Sequence, residues 1–318
     1  MPLPVTPDDV ARAHALIASH VRRTPTWQAP RGTLGAPGSL SLKLELLQHA
    51  GSFKTRGAFH TLLAPEERPR AVAAASGGNH GVAVAYAARR LELPARIFVP
   101  EIASPAKVAA IRAQGADIEI GGRRYADAQE ACDRFVAESG ALRVHPFDAV
   151  TTIAGAGTVA LEWDEDARGA GGLDTVLVAC GGGGLAAGLA AFWAGRVRVI
   201  AVEPEGWDDM QRSLAAGHIV AVEADAPPTL CDALQTPRVS PITFGIFQER
   251  GVEVVTVSEA EVAAAVRFAW RMHQLVVEPG GAAALAAVLA GKVAMDEDSV
   301  IVLSGGNIDP ALHARLVS

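Results

Sequence analysis

Short apolar runs rich in β-branched residues alternate along this chain with longer runs of helical period, and that alternation restricts the fold more than any other feature. Strand-like segments fall at 41–46, 71–75, 95–99, 117–120, 142–145, 174–179, 198–203, 252–257 and 299–303. Helical spacing marks 7–20, 54–63, 80–91, 105–114, 124–138, 153–163, 184–194, 208–216, 259–273 and 281–290. The first helix has a clear start signal, with Thr6 as cap, then Pro7, Asp8 and Asp9. Strand–helix alternation implies an α/β fold with mostly parallel sheets. One group of strands lies within 71–145 and the other from 174 onward, which implies two doubly wound domains with a cleft between them. There is no fixed-period repeat and no low-complexity tract.

Composition removes several function classes. With 318 residues, half of them hydrophobic and only 20% charged, the chain can bury a large core. A net charge of −7 and a pI near 5.7 argue against a nucleic-acid surface or a polybasic membrane patch. The basic pairs Arg22-Arg23 and Arg123-Arg124 read as solvated surface. Cys132, Cys180 and Cys231 are scattered and form no zinc pattern, as expected of reduced thiols in a cytoplasmic protein. The proline-rich start is no signal peptide, and the apolar run after Gly281 is too short to span a bilayer.

Ligands of open α/β sheets bind beyond the carboxyl ends of the strands. Three such ends carry glycine-rich turns: SGGNHG (76–81), GGGGLAAG (181–188) and SGGN (304–307). In the second, Gly181, Gly182, Gly183 and Gly184 run from a strand into a helix. Backbone N–H groups there, with the helix dipole, make a phosphate cradle. It lacks the Lys-Ser/Thr ending of a triphosphate loop. The same stretch loosely fits a dinucleotide fingerprint, Gly182-x-Gly184-x-x-Ala187 with Glu203 further on, which keeps a nicotinamide enzyme as an alternative. In SGGNHG, Ser76 or Asn79 could cap the next helix, and His80 could be a surface residue. Three hydrogen-bonding side chains in an open turn also suit a small carboxylate ligand.

A fourth stretch, GSFKTRGA (51–58), places Lys54 at a helix start, with Ser52 as its N-cap. A helix N-terminus and the apolar Phe53 both disfavour an ammonium, so the amine pKa should fall. A neutral amine forms Schiff bases with aldehydes. Joined to a phosphate cradle, it points to an aldehyde-bearing phosphate ester, and pyridoxal phosphate is that molecule.

These four stretches, in this order and spacing, resemble the fold-type II pyridoxal-phosphate enzymes, and within them the serine/threonine dehydratase and serine racemase group. RRTPT, HPFD, IAGAGTVALE, AVEP and VVEPGGAAAL also resemble that group. The resemblance implies a tryptophan synthase β-like fold with the site in the interdomain cleft. It further implies a large cofactor domain of 1–67 with 148–318, a small domain of 68–147, and a homodimer.

The resemblance assigns a role to each matching residue. Lys54 holds the cofactor as a Schiff base and then acts as base at the substrate α-carbon. Phe53 packs on one face of the ring, and Asn79 bonds the ring hydroxyl. Gly181 to Gly184 and the amide of Leu185 hold the phosphate. Ser304 faces the ring nitrogen, and Glu278 lies beside the cofactor. Ser76, Asn79 and His80 surround the substrate carboxylate. AVEPEGWDDM resembles a divalent-cation site, with Glu203, Asp209 and the carbonyl of Trp207 as oxygen donors for Mg²⁺ or Ca²⁺. Its alternative is a plain helix start at Asp208 and Asp209.

The resemblance also implies an activity. Ser304 does not keep the ring nitrogen protonated, which favours loss of a β-substituent over transamination. Dehydration of a β-hydroxy amino acid such as L-serine or L-threonine to a 2-oxo acid and ammonia follows. Racemases of the group carry a serine where this chain has Gly77, which favours dehydratase over racemase. Ala156 and Phe147 are two further departures and should reshape the pocket. The chain ends soon after SGGN, so a C-terminal regulatory domain is not expected.

Overall fold

In a computed structural model of the chain, residues 3–29, 32, 40–167, 173–223, 225–295 and 299–318 are described. Helix α1 (Pro7–Ile17) opens the chain with a capping box between Thr6 and Asp9. Strands β1 (Thr26–Ala29) and β2 (Leu40–Lys43) follow, then α2 (Lys54–Leu63). Next come β3 (Val72–Ala75), α3 (Asn79–Arg90), β4 (Ala95–Val99), α4 (Pro105–Ala113), β5 (Asp117–Ile120), α5 (Tyr125–Ser139) and β6 (Leu142–Arg143). Helix α6 (Val150–Ala167) leads into β7 (Thr175–Ala179), α7 (Gly184–Trp193), β8 (Arg198–Pro204) and α8 (Asp209–Ala216). The remainder is α9 (Pro241–Arg250), β9 (Glu253–Val257), α10 (Glu259–His273), α11 (Pro279–Leu289), β10 (Ser299–Val302) and α12 (Pro310–Val317).

Two sheets result, in the orders β1-β2-β10-β7-β8-β9 and β5-β4-β3-β6. Every pairing is parallel except β1 with β2. Both sheets are covered on both faces, as parallel sheets require. On the larger sheet, α1, α6, α7 and α9 bury one face and α10 and α11 the other. On the smaller, α3 and α4 cover one face and α5 the other. Phe59 and Leu62 of α2 join the α3–α4 core, so α2 lies between the two sheets.

Helices α2, α6 and α7 approach through glycines. A Cβ on Gly155 would lie 2.8 Å from both the Arg56 carbonyl oxygen and Gly57 Cα. One on Gly188 would lie 2.5 Å from the Ile153 carbonyl oxygen and 2.7 Å from Gly157 N. These side-chain-free contacts fix α2 and α7 against α6, and so fix the helix starts at Lys54 and Gly184 relative to each other.

A buried ion cluster anchors the other side of α2. Arg56 makes paired hydrogen bonds to Glu45 (2.9 and 2.8 Å) and to Glu162 (2.7 and 2.9 Å). Lys43 donates to Glu162 (3.0 Å) and to the Thr24 carbonyl (2.8 Å). Two cations meet two carboxylates here, so no net charge is buried. Burial pushes Glu162 up, but Arg56 and then Lys43 hold its carboxyl below the ordinary range.

Several sequence expectations are corrected here. Ser52 is not the N-cap of α2; Phe53 is, in helical conformation and with no side-chain cap. Ser52 is instead extended and bridges to Gly305 through its backbone. Helix α3 is capped by Gly78, not by Ser76 or Asn79. β1, α9 and α12 were not foreseen, and α6 is longer than its apolar period indicated.

Candidate active site

The four glycine-marked stretches converge at the strand ends. The GSFK and SGGN stretches are joined by their backbones: Phe53 N donates to the Ser304 carbonyl (3.1 Å) and Gly306 N to the Gly51 carbonyl (2.9 Å). Gly51 has φ +74°, and a Cβ there would run into Asn307. Asn307 uses that space to donate to the Ala50 carbonyl and to Asn79 Oδ1, both at 2.8 Å. Asn79 in turn donates to Glu278 Oε1. One N–H of the Asn79 amide remains for a ligand.

Lys54 is partly buried, and its Nζ donates to the Pro146 carbonyl (2.8 Å). Burial lowers the amine to about 8. Nζ also stands 5.0 Å from the centre of the Phe53 ring, a ring that packs against the main core. The expected pKa fall is therefore present, with desolvation as its cause.

Phe147, next to Pro146, presses on the phosphate-cradle candidate. A Cβ on Gly182 would overlap its ring, and one on Gly184 would lie 3.0 Å from its Cβ. A Cβ on Gly181 would lie 3.0 Å from Leu234 Cα and 3.1 Å from Thr236 Oγ1. Gly183 has φ +81°, which side chains rarely adopt. Each glycine thus has its own reason. The first turn of α7, through Leu185, presents N–H groups without partners inside the helix. The loop, the helix end and the lowered amine fit an anionic aldehyde cofactor.

His80 is buried, not on the surface, and donates through Nε2 to the Val144 carbonyl (2.9 Å). Burial first, then the Lys54 charge, lowers it to about 3, so it is a neutral imidazole. His145 is likewise lowered to about 4, by burial and then by Arg143. Ser76 accepts from Gly78 N (3.1 Å), and Ser304 is buried at the end of β10. Glu278 is buried, and burial raises it to about 7. A Cβ on Gly77 would overlap that of Ala103 and lie 3.3 Å from Val99 Cγ1.

Glu203 and Asp209 lie behind the glycine loop, both fully buried. Glu203 accepts from Met210 N (3.0 Å) and Gln211 N (2.9 Å). Turned inward in this way, it cannot serve a ribose, which removes the dinucleotide reading of GGGGLAAG. Asp209 starts α8, as the helix-start alternative had it, but neither of its oxygens has a well-formed hydrogen bond. Burial raises both carboxyls, and Asp209 adds to the rise at Glu203. Among the described residues, no cluster of three or more His, Cys, Asp or Glu could hold a metal. The Trp207 indole donates to the Pro227 carbonyl (2.8 Å).

Sequence reasoning missed the part of Asn307, although SGGN contains it. It also missed the Pro146 carbonyl, the cover of Leu234 and Thr236, and Ala103 over Gly77. Those contacts are made across the fold and leave no local pattern. All three cysteines are buried and free, and among the described residues no helix is long and apolar enough to cross a membrane.

Residues 17–305 match the family model described as pyridoxal-phosphate dependent enzyme. A phenylserine dehydratase of Ralstonia pickettii is 37% identical, covering 96% of this chain and 94% of its own. A serine racemase of Schizosaccharomyces pombe is 35% identical, covering 98% and 97%. The crystal structure of a threonine deaminase from T.th. superposes with a TM-score of 0.90 at 39% identity, covering 96% of this chain and 99% of that one.

Proposed function

The chain belongs to the pyridoxal-phosphate-dependent enzyme family, and from that premise we propose that it is an ammonia-lyase acting on a β-hydroxy amino acid. L-serine or L-threonine is the default substrate, and a 2-oxo acid and ammonia are the products. One observation carries the reading: a partly buried amine at Lys54, its pKa lowered, linked through Pro146 and Phe147 to a glycine loop that opens a helix. When bound, pyridoxal phosphate supplies the electron-withdrawing ring that acidifies the substrate α-carbon.

The chain's own groups then divide the work. Lys54 would hold the cofactor and take the α-proton. Gly181, Gly182, Gly183, Gly184 and the N–H of Leu185 would hold the phosphate. Asn79 would bond the ring hydroxyl, Ser304 would face the ring nitrogen, and Phe53 and Glu278 would flank the ring. Ser76, Asn79 and His80 would orient the substrate carboxylate, His80 as a neutral donor or acceptor. Gly77 offers no proton, and Ala103 fills the space a side chain there would need, which supports elimination over racemisation.

The small domain is taken as 68–147 and the large one as 1–67 with 148–318, because the strands of the smaller sheet all fall within 72–143. Glu203, Asp209 and the Trp207 carbonyl would bind Mg²⁺ or Ca²⁺; two buried carboxylates with raised pKa suit a cation. A homodimer would cover the exposed Trp270, Met272 and Val276. Buried free thiols suit a cytoplasmic setting.

Purified protein loaded with pyridoxal phosphate should show a visible absorbance band that Lys54→Ala abolishes. It should release a 2-oxo acid from at least one of L-serine, L-threonine, 3-hydroxyaspartate and phenylserine. Failure to bind the cofactor sinks the reading. Chiral analysis with L-serine should find pyruvate as the main product, and D-serine as the main product would overturn the dehydratase assignment.

A further inference from the structure

Lys107 has no part in the roles above. It sits on α4, against the smaller sheet, yet its side chain is only 10% exposed and its charged partners come from the other side of the cleft. It donates to Asp232 Oδ2, in the 3-10 turn 232–234, and stands 3.9 Å from Glu278 Oε2 at the head of α11. An ammonium is buried at large cost unless paired. Lys107 is therefore satisfied in this position only while the two sheets are held together.

Its partners belong to the site. The turn that carries Asp232 continues into Leu234 and Thr236, which lie against Gly181. Glu278 already accepts from Asn79 through Oε1, while its Oε2 is buried without a hydrogen bond and faces Lys107. Two helices on the smaller sheet, α3 through Asn79 and α4 through Lys107, thus converge on one carboxylate of α11.

We propose that Lys107 is a positioning residue, a latch whose contacts with Asp232 and Glu278 hold the smaller sheet closed over the site and present the Ser76–His80 turn to the amino-acid substrate. This deepens the proposed ammonia-lyase reading, and its kinetic arm rests on that reading. With the latch broken, Lys107 turns to water and the closed population falls. Apparent substrate affinity drops by the closed fraction, while the chemistry within the closed form is unchanged.

The test uses the cofactor-loaded full chain and three variants, Lys107→Met, Lys107→Arg and Asp232→Asn. Asp232 is half exposed, so its variant folds even where Lys107→Met does not. Hydrogen exchange without substrate should quicken in both 105–113 and 230–236 in the Met and Asn variants, and stay near wild type in the Arg variant. KM for the turned-over amino acid should rise about tenfold in the Met and Asn variants, with kcat within about threefold. The visible band should not change, because Lys54 is untouched. Unaltered exchange in the two segments overturns the latch whatever the turnover, and so does a fall in kcat at constant KM. Paired exchange changes in a protein that consumes no β-hydroxy amino acid uphold the latch and overturn the proposed function instead.

Discussion

At Lys54, both the position of the amine and the direction of its pKa shift are legible in the sequence. Phe53 and the helix start suggested a lowered pKa, and the value falls because the amine is buried. The functional consequence is a pH dependence with a definite sign. A free lysine amine is mostly neutral only above about 10.4. With its pKa near 8, Lys54 is half neutral at that pH. The rate at which cofactor-free protein captures pyridoxal phosphate should therefore climb up to about pH 8 and level off above it, read by stopped-flow absorbance. A rate still climbing between pH 9 and 10 would show an unperturbed amine. Two residues on, Arg56 faces the opposite demand. Burial disfavours its charge, but Glu45 and Glu162 outweigh that and raise it. Arg56→Met leaves two buried carboxylates with only Lys43, at a cost of about 3–5 kcal/mol by urea unfolding. Nothing local announced this cluster, because Lys43, Glu45, Arg56 and Glu162 meet only in the folded chain.

Elements were legible where their period was long and their ends were marked. Helices α2 and α10 match the sequence reading residue for residue, and α10 carries the Ser258–Glu261 capping box. Helices α9 and α12 escape the sequence reading despite real start signals, Ser240-Pro241 and Asp309-Pro310, because the apolar face of α9 is weakly periodic and α12 has only eight residues, none of them buried. Strand β1 has four residues and a single antiparallel neighbour, too little for a pattern. The glycines of IAGAGT show a deeper limit. Read as sequence they were family markers; in the fold Gly155 faces α2 and Gly157 faces α7. Gly188→Ala would force a methyl to 2.5 Å from the Ile153 carbonyl oxygen and push α7 away from α6. Overpacking of this kind costs about 1–3 kcal/mol. The cofactor should also bind more weakly, since the glycine loop moves with α7. Alanine at exposed Gly195, beyond the helix end and clear of neighbours, strains only its own backbone at φ +87° and should leave cofactor affinity unchanged. Equilibrium dialysis with pyridoxal phosphate separates the two.

For the molecule as a whole, alternation of strands and helices predicts two mostly parallel sheets, and that is the architecture, with β1 as the antiparallel exception. Strand order was not legible. β2 lies between β1 and β10, a pairing set by a contact more than 250 residues away in the chain. The candidate site draws on both sheets: Ser76, Asn79 and His80 follow the C-terminal end of β3, and Lys54, Gly181–Gly184, Glu278 and Ser304 come from the other side. Helix α2 shares its core with the smaller sheet while its Arg56 is tied to Glu45 and Glu162. A ligand bound by both parts should therefore stabilise both at once. At one hundred times its dissociation constant, a ligand adds about 2.7 kcal/mol, which for a chain of this size raises the melting temperature by about 4 °C. Calorimetry of the wild type should show one transition that moves up as a unit with pyridoxal phosphate. Lys54→Ala should keep the single transition and lose most of the shift. Two transitions, with only one moved by the cofactor, would mean that the sheets fold independently and that Asn79 and His80 lie outside the binding unit.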